Sequence, residues 1–327
     1  MDDFLEINFP SSTGTGTIQA RLYLPINPAS SQGLLIQIVH GMAEHMRRYH
    51  EFCLLLAKGG FAVCIHDQAG HGASASSPEY LGYFGAANGV ETVQQDIDRL
   101  SEESVARLKD LTDDRVSWRR VIFGHSMGSF ISRLYCTRPG LNLAGAVFSG
   151  TSAGNPALNL GLFLANRSIR RKGPLIKDEF LARLSAQGNL KRIPNPRTPF
   201  DWLSRDESLV DAYIADPWCG YTFTAAGYRD LYSWLLAVSR KDWAAKVQAG
   251  RSVLLISGSE DPIGQYGTGA RIVGERLKAA GHQVEVKVYD GARHEVLNET
   301  NKLEVWQDVL DWLKRLAATA TQEGEQS

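Results

Sequence analysis

The chain is predicted to be an α/β protein built on a mostly parallel sheet of about eight strands, with helices on both faces. Short runs rich in β-branched residues alternate with longer segments of helical periodicity, which is the order that parallel β-α-β units need. The composition, 43% hydrophobic and 22% charged over 327 residues, is typical of a globular protein large enough to bury a core. The alternation is interrupted once, by a proline-rich stretch.

Hydrophobic periodicity assigns the strands and helices in chain order. Strands are predicted at residues 18–24, 34–39, 61–66, 121–123, 143–148, 253–257 and 284–289. Helices are predicted at residues 49–58, 90–107, 126–137 and 304–316. Glycine and proline mark several ends, such as Gly59-Gly60 after the first helix and Pro139-Gly140 after the third.

The interruption covers residues 151–227 and holds half of the chain's twelve prolines: Pro156, Pro174, Pro194, Pro196, Pro199 and Pro217. So many prolines exclude a regular crossover helix. We therefore predict a cap of short helices and loops at 151–227, inserted into a core made of residues 1–150 and 228–318. The polar tail at 319–327 is expected to fray.

Charge, cysteine spacing and the N-terminus narrow the functional classes. The formal net charge of −1 gives no sign of a nucleic-acid partner. Four cysteines occur without C-x-x-C spacing, and Cys53, Cys64 and Cys136 lie among apolar residues, as expected of thiols in a reduced compartment. The first ten residues lack the pattern of a signal peptide, and no apolar run is long enough to span a membrane. A cytoplasmic location is expected.

A five-residue motif follows the strand predicted at 121–123. Gly124-His125-Ser126-Met127-Gly128 has the pattern G-x-S-x-G, and a helix begins directly after it. In that context the serine lies on a tight strand-to-helix turn with its hydroxyl exposed. The turn also places Ser126 at a helix N-terminus, whose free N–H groups favour negative charge. Ser126 is the candidate nucleophile.

A serine hydroxyl needs a base, and the base needs an acid that orients it. Downstream of such a turn the chain order is acid and then histidine. Asp261 follows the strand at 253–257, and His294 follows the last strand, so both are expected at the edge of the sheet that carries the serine. Glu260 and Asp290 are the rival acids. Asp290 is only four residues from His294, and Pro262 fixes the turn at Asp261.

Two backbone N–H groups are predicted to hold the oxyanion of a tetrahedral intermediate. One is that of Met127, directly after the nucleophile. The other comes from the loop after the strand at 34–39, where His40-Gly41-Met42 stands, and Met42 is the candidate. Only the backbone of the two methionines enters this prediction.

Five segments together resemble a known family. Residues 40–49 look like the H-G-x-x-E-H-x-x-R-Y loop of monoacylglycerol lipases and bacterial lysophospholipases, and residues 67–74 resemble their D-x-x-G-H-G-x-S segment. Residues 124–128 match their serine turn. Residues 261–269 and 289–299 are similar to the acid and histidine loops of the bacterial branch. The resemblance covers roughly residues 30–315, except the cap.

The resemblance implies an α/β-hydrolase fold and hydrolysis of a lipid-like carboxylic ester, without metal or organic cofactor. It places Glu44 and Arg48 near the alcohol part of a substrate, and His125 is counted with them as substrate-binding. A purely structural Glu–Arg pair is an equal alternative. The cap has no counterpart that we can match, so the resemblance implies no acyl-chain preference.

Two other site types are rejected from the sequence. Residues 70–75 fit G-x-G-x-x-A, but Ser76-Ser77-Pro78 follows where a nucleotide-binding helix must begin. His40, His45 and His50 recur every five residues, whereas metal ligands on one helix face need a spacing of three or four.

Two other functions stay open beside ester hydrolysis. A proline-type aminopeptidase has this fold, but it recognises a free amine through acidic cap residues, and this cap is basic in its centre. A non-catalytic module that binds a small molecule would have no need of His294.

The cap has a local charge asymmetry. Eight basic residues against Asp178 and Glu179 give residues 167–192 a net charge of +6, directly after an apolar cluster at 158–164. Apolar residues beside Lys and Arg are typical of an interfacial segment, so peripheral contact with anionic lipid is one interpretation. The other is that the leucines pack on the core or line an acyl pocket.

Overall fold

Across residues 3–324, which the computed structural model describes (for residue 30 and residues 320–324 the backbone alone), eight strands form one central sheet. The strands are β1 (Leu5–Pro10), β2 (Thr17–Tyr23), β3 (Leu34–Val39), β4 (Ala62–His66), β5 (Arg119–His125), β6 (Leu143–Ser149), β7 (Ser252–Gly258) and β8 (Gln283–Tyr289). Their order across the sheet is β1-β2-β4-β3-β5-β6-β7-β8. β2 pairs antiparallel with both β1 and β4, and the six strands from β3 to β8 run parallel to one another, which confirms the predicted mostly parallel sheet.

Strand β1 is the strand that periodicity missed, and helix α8 (Thr268–Ala279) was missed as well. Only Ile7 and Phe9 of the six residues of β1 are buried, and β1 pairs with β2 alone at the edge of the sheet. An edge strand buries one face, so its pattern of two apolar positions among polar residues is too short to distinguish from a loop.

Helices cover both faces of the sheet. They are α1 (His50–Lys58), α2 (Gly89–Leu111), α3 (Met127–Tyr135), α4 (Leu158–Lys172), α5 (Glu179–Ala186), α6 (Glu207–Ala215), α7 (Ala225–Ser239), α8 (Thr268–Ala279) and α9 (Lys302–Gly324). Helices α1 and α9 pack on one face, and α2, α3 and α8 pack on the other. In β3, Leu35 faces the second layer and Ile36 the first, which explains why the central strands read as continuous apolar runs.

The segment between β6 and β7 contains α4 to α7. Helices α5 and α6 are short, as expected for the cap, but α4 and α7 have 15 residues each. The predicted boundary at 227/228 falls inside α7, which begins at Ala225 and packs against both α3 and α4. The end of the predicted cap therefore lies within one helix and not at a linker.

The C-terminal helix is longer than predicted. Helix α9 runs to Gly324, so the backbone of residues 319–324 continues the helix where a frayed tail was expected, and residues 325–327 lie outside the described part. Trp306, Val309 and Leu313 bury one side of α9 against β-sheet residues and α1, which anchors the helix. In residues 3–324 no helix combines the length and apolar character that crossing a bilayer requires.

Candidate active site

Ser126 occupies the turn between β5 and α3 in a strained conformation, with φ 52° and ψ −120°. Positive φ is unfavourable for a residue with a Cβ, so the surroundings must hold it in place. The Ser126 N–H donates to the Ser149 carbonyl at 2.9 Å, which fixes the turn to the end of β6. The Ser126 carbonyl in turn accepts from the Ser129 hydroxyl at 2.6 Å.

The two glycines of the motif are required by close packing. A Cβ at Gly124 would overlap the Gly128 carbonyl, and a Cβ at Gly128 would overlap the carbonyls of Val39 and His40 at the end of β3. The first turn of α3 can therefore lie against β3 and β5 only with glycine at both positions. This packing places Ser126 at the carboxyl edge of the sheet, between the loops that follow β3 and β6.

His294 and Asp261 form a buried pair at the same edge. His294 Nδ1 donates to Asp261 Oδ1 at 2.8 Å, and the two side chains are 2% and 0% exposed. Burial opposes the charge of each group, but the partner outweighs it, so the pKa of His294 is raised and that of Asp261 is lowered. The rival Asp290 is exposed and meets Ser259 instead, at 3.4 Å. Of the candidate acids, the structure brings Asp261 to the histidine.

The imidazole of His294 lies between two aromatic rings. Its centroid is 4.9 Å from that of His125 and 5.1 Å from that of Trp202, a residue of the loop between α5 and α6. A Cβ at Gly150 would lie only 2.9 Å from His294 Cε1, so glycine after β6 lets the ring approach. Sequence reasoning missed both Trp202 and Gly150, since neither belongs to a motif.

Gly150 lies between the surroundings of Ser126 and the ring of His294, but in the described residues no hydrogen bond joins the two side chains. Ser126 is bonded to Ser149, and the next residue, Gly150, contacts the His294 ring. Within residues 3–324, His294 Nδ1 has its aspartate, whereas no hydrogen bond joins His294 Nε2 to Ser126 Oγ. Such bonds are often long before substrate binds and shorten in the reacting complex.

The loop after β3 lies directly beside the serine. A Cβ at Gly41 would be 3.3 Å from Ser126 Cβ, and the Gly41 N–H donates to Glu44 Oε1 at 2.5 Å. Among the described residues, the N–H groups of Met42 and Met127 have no protein acceptor. Both are therefore free to donate to a bound group at the serine.

Glu44 and Arg48 belong to a buried ion-pair network. Arg48 Nη1 lies 2.7 Å from Glu44 Oε2 and 2.8 Å from Glu295 Oε1, and Arg48 Nη2 lies 2.6 Å from Glu295 Oε2. The Tyr49 hydroxyl donates to Glu44 Oε1 at 2.8 Å. Burial raises the pKa of Glu44, but Arg48, His125, His40 and the Tyr49 hydroxyl together more than reverse this, and the pKa falls to about 2. The Glu–Arg pair is thus present, with Glu295, which no motif indicated, as its third member.

His125 is neutral at the centre of this arrangement. Its side chain is buried, its Nδ1 lies 3.1 Å from Ser149 Oγ, and a Cβ at Gly41 would be 3.3 Å from its ring. Burial, together with the nearby charge of His294, lowers the pKa of His125 to about 4. A neutral imidazole beside the candidate base can donate or accept a hydrogen bond without competing for its proton.

Comparison with known proteins identifies the family. A family model described as serine aminopeptidase, S33 matches residues 31–301. The chain belongs to this family. It is 28% identical to a monoacylglycerol lipase of Mycolicibacterium smegmatis over 305 residues, which is 93% of this chain and 95% of the relative. It is also 28% identical to the monoglyceride lipase of Mus musculus over 298 residues, 90% of this chain and 86% of the relative.

A solved structure extends the comparison. A highly thermostable carboxyl esterase from Bacillus coagulans, in complex with glycerol, matches with a TM-score of 0.87 and 29% identity, over 97% of this chain and 100% of the esterase. The fold of the chain is therefore the α/β-hydrolase fold, as the resemblance implied. The chain is an enzyme of the carboxylic ester hydrolase class.

Proposed function

We propose that the enzyme hydrolyses carboxylic esters of lipid type, such as monoacylglycerols or lysophospholipids, through an acyl-enzyme on Ser126. The observation that carries the proposal is the buried 2.8 Å bond between His294 and Asp261 beside a strained serine. A carboxylate that is out of solvent holds the histidine in one tautomer, with Nε2 as the proton acceptor. The names of the relatives, monoacylglycerol and monoglyceride lipase, support the substrate class.

The mechanism is acyl transfer in two halves. His294 Nε2 takes the proton of Ser126 Oγ as the oxygen attacks the ester carbonyl, and the N–H groups of Met42 and Met127 hold the resulting oxyanion. The carbonyl–oxygen bond to the alcohol then breaks, and the alcohol leaves with the proton from His294. Water gives a proton to His294 as it attacks the acyl-enzyme. The acyl–oxygen bond then breaks, His294 returns the proton to Ser126 Oγ, and the acid and free Ser126 are released.

The alcohol side of the substrate is proposed to meet His125, which lies next to His294 and close to Gly41. Gly41 also contacts Glu44, and Glu44 is paired with Arg48. Both oxygens of Glu44 already accept hydrogen bonds from the protein, which favours a structural role for this pair over direct substrate contact. The Bacillus coagulans esterase was solved in complex with glycerol, the alcohol that a monoacylglycerol would release.

The decisive experiment removes the nucleophile. Ser126→Ala is expected to lower hydrolysis of p-nitrophenyl butyrate and of a monoacylglycerol by about 10⁴-fold or more, with an unchanged fold by circular dichroism. Fluorophosphonate is expected to label the parent enzyme and not the variant. Activity of the variant within tenfold of the parent, or no labelling of folded parent enzyme, would contradict the mechanism and favour a binding module.

The aminopeptidase alternative has the family description in its favour and is tested on the same preparation. The parent enzyme is expected to cleave p-nitrophenyl butyrate and to leave proline p-nitroanilide intact. Faster release from the anilide would overturn the ester assignment while leaving Ser126 as nucleophile.

Peripheral contact with anionic lipid is proposed for the outer face of α4. Leu160 and Phe163 are 55% and 61% exposed, and Arg167 and Arg170 continue the same helical face at intervals of three and four residues. Within the described residues none of the basic side chains of α4 forms a salt bridge, and Lys172 alone acts electrostatically on a nearby carboxylate, that of Asp178. Each can contribute about 1 kcal/mol near an anionic surface. Leu158, by contrast, is buried, so the apolar cluster divides between core and solvent.

Sedimentation with phosphatidylserine vesicles tests this contact. Binding is expected at low salt and is expected to weaken as salt rises and when three basic residues become alanine: Arg170, Arg171 and Lys172. The matched control replaces three exposed basic residues of α8 and α9 by alanine: Arg271, Lys278 and Lys314. An equal loss in both variants, or no binding at low salt, would exclude a specific cap surface.

A further inference from the structure

Three chemically distinct side chains from two distant segments meet at the boundary between core and cap. His45 lies in the loop after β3, and Asp216 and Cys219 lie in the turn that follows α6. One donor atom from each residue lies within 4.8 Å of the other two, and His45 Nε2 is 2.9 Å from Asp216 Oδ2. None of the three belongs to the site proposed for ester hydrolysis.

We propose that His45, Asp216 and Cys219 form a binding site for one divalent transition-metal ion of the zinc type. Imidazole, carboxylate and thiolate are the ligands that zinc takes in proteins. A tetrahedral ion with bonds of these kinds keeps its donor atoms about 3.3–3.8 Å apart. His45 Nε2 and Asp216 Oδ2, at 2.9 Å, would separate by a few tenths of an ångström, whereas a contact to the thiol as long as 4.8 Å would close by about 1 Å. Three protein ligands leave a fourth position for water.

The turn holds two of the ligands in a chelating arrangement. The Cys219 N–H donates to the Asp216 carbonyl at 3.0 Å, which closes the turn and brings both side chains to the same side. Ligands separated by two residues on a tight turn are common in zinc sites. The Trp218 N–H occupies Asp216 Oδ1 at 2.8 Å and leaves Oδ2 directed at His45.

The surroundings fit an ion that enters from solvent. The His45 side chain is 5% exposed, and its Nδ1 is buried without a hydrogen-bond partner in the described structure. The side chain of Asp216 is 32% exposed and Cys219 is half-buried, so they leave a route for the ion. Bound metal would replace the hydrogen bond from His45 to Asp216 and join the cap to the loop that carries Met42.

Metal binding at this site is expected to release a proton, since zinc binds cysteine as the thiolate.

The test is a titration of the full chain with cobalt(II) chloride, with zinc chloride as competitor. One cobalt per chain is expected, with the near-ultraviolet absorption that a cobalt–thiolate bond produces and loss of that band when zinc is added. Cys53, Cys64 and Cys136 are buried, which leaves Cys219 as the half-exposed thiol. Zinc is also expected to raise Tm.

Variants separate a real site from surface binding. Cys219→Ser is expected to abolish the thiolate band, and His45→Gln to weaken cobalt binding by at least about 100-fold, since even outer-shell changes cost 10- to 100-fold. His50→Gln changes a half-buried histidine outside the cluster and is expected to leave binding unchanged. Ester hydrolysis without metal is expected to be unaffected in Cys219→Ser. A thiolate band that persists in folded Cys219→Ser, or no band in the parent at millimolar cobalt, would overturn the proposal.

Discussion

Replacing Arg48 by methionine should destabilise the enzyme, because it leaves two buried carboxylates without their cation. Glu44 and Glu295 are 3% and 5% exposed, and Arg48 bonds both of them at 2.6–2.8 Å. The pKa of Glu44 is about 2 against an ordinary 4.5, and about 1.4 kcal/mol corresponds to each pKa unit, so the surroundings favour its carboxylate by about 3 kcal/mol. Breaking a buried pair from one side costs about 3–5 kcal/mol. We therefore expect Arg48→Met to lower the free energy of unfolding by about 3–5 kcal/mol.

Urea unfolding, followed by tryptophan fluorescence, measures this loss. A carboxylate whose pKa is depressed in the folded state stabilises it above the unfolded pKa, and this contribution disappears as pH falls from about 4.5 towards about 2. The difference between parent and Arg48→Met should therefore be full at about pH 7 and smaller at about pH 4. Arg315→Met is the matched control, because Arg315 pairs with Glu285 at an exposed position, where a pair contributes about 0–1 kcal/mol.

The same variant distinguishes the two roles left open for Arg48. A structural role predicts equal losses of activity on a monoacylglycerol and on a p-nitrophenyl ester, whereas contact with the alcohol predicts a larger loss on the monoacylglycerol. If Arg48→Met unfolds within about 1 kcal/mol of the parent, or no more easily than Arg315→Met, the buried network does not have the energy that its geometry implies.

Two further substitutions test how the base and the oxyanion loop are held. Asp261→Asn should reduce the rate of ester hydrolysis by about 10⁴-fold. It should also move the acidic limb of the residual pH–rate profile to lower pH, because the carboxylate that raises the pKa of His294 is gone. Asp290→Asn should reduce the rate much less, and the reverse order of the two effects would make Asp290 the acid. Tyr213→Phe removes the hydroxyl that donates to the Ala43 carbonyl at 3.0 Å. It should lower kcat by less than about tenfold, with little change in KM. A change confined to KM would place Tyr213 in substrate binding.

The parts of the site that could be predicted are those fixed by local turns on parallel strands. Ser126, Asp261 and His294 each follow a strand of the parallel region, and the carboxyl ends of parallel strands share one edge of the sheet. The positions of the three residues in the chain therefore predicted that they lie at one edge of the sheet. In the structure Asp261 and His294 are in contact. In the same way, Gly124 and Gly128 indicated that α3 packs closely against β3.

Contacts between distant segments could not be predicted. Arg48 and Glu295 are 247 residues apart, and Ala43 and Tyr213 are 170 apart, with no spacing rule to link them. The argument against metal at His45 considered only the spacing of His40, His45 and His50 along the chain. In the structure the residues beside it come from the turn after α6.

The cap contacts both halves of the proposed active site, so its position and the catalytic geometry are coupled. On one side, the Ala43 carbonyl accepts from the Gly220 N–H and the Tyr213 hydroxyl, each at 3.0 Å, one residue after Met42. On the other, the His294 N–H donates to the Trp202 carbonyl at 3.3 Å. A cap that moved away would remove these hydrogen bonds from both loops. We therefore expect the proposed ester hydrolysis to depend on the position of the predicted cap as well as on Ser126, Asp261 and His294.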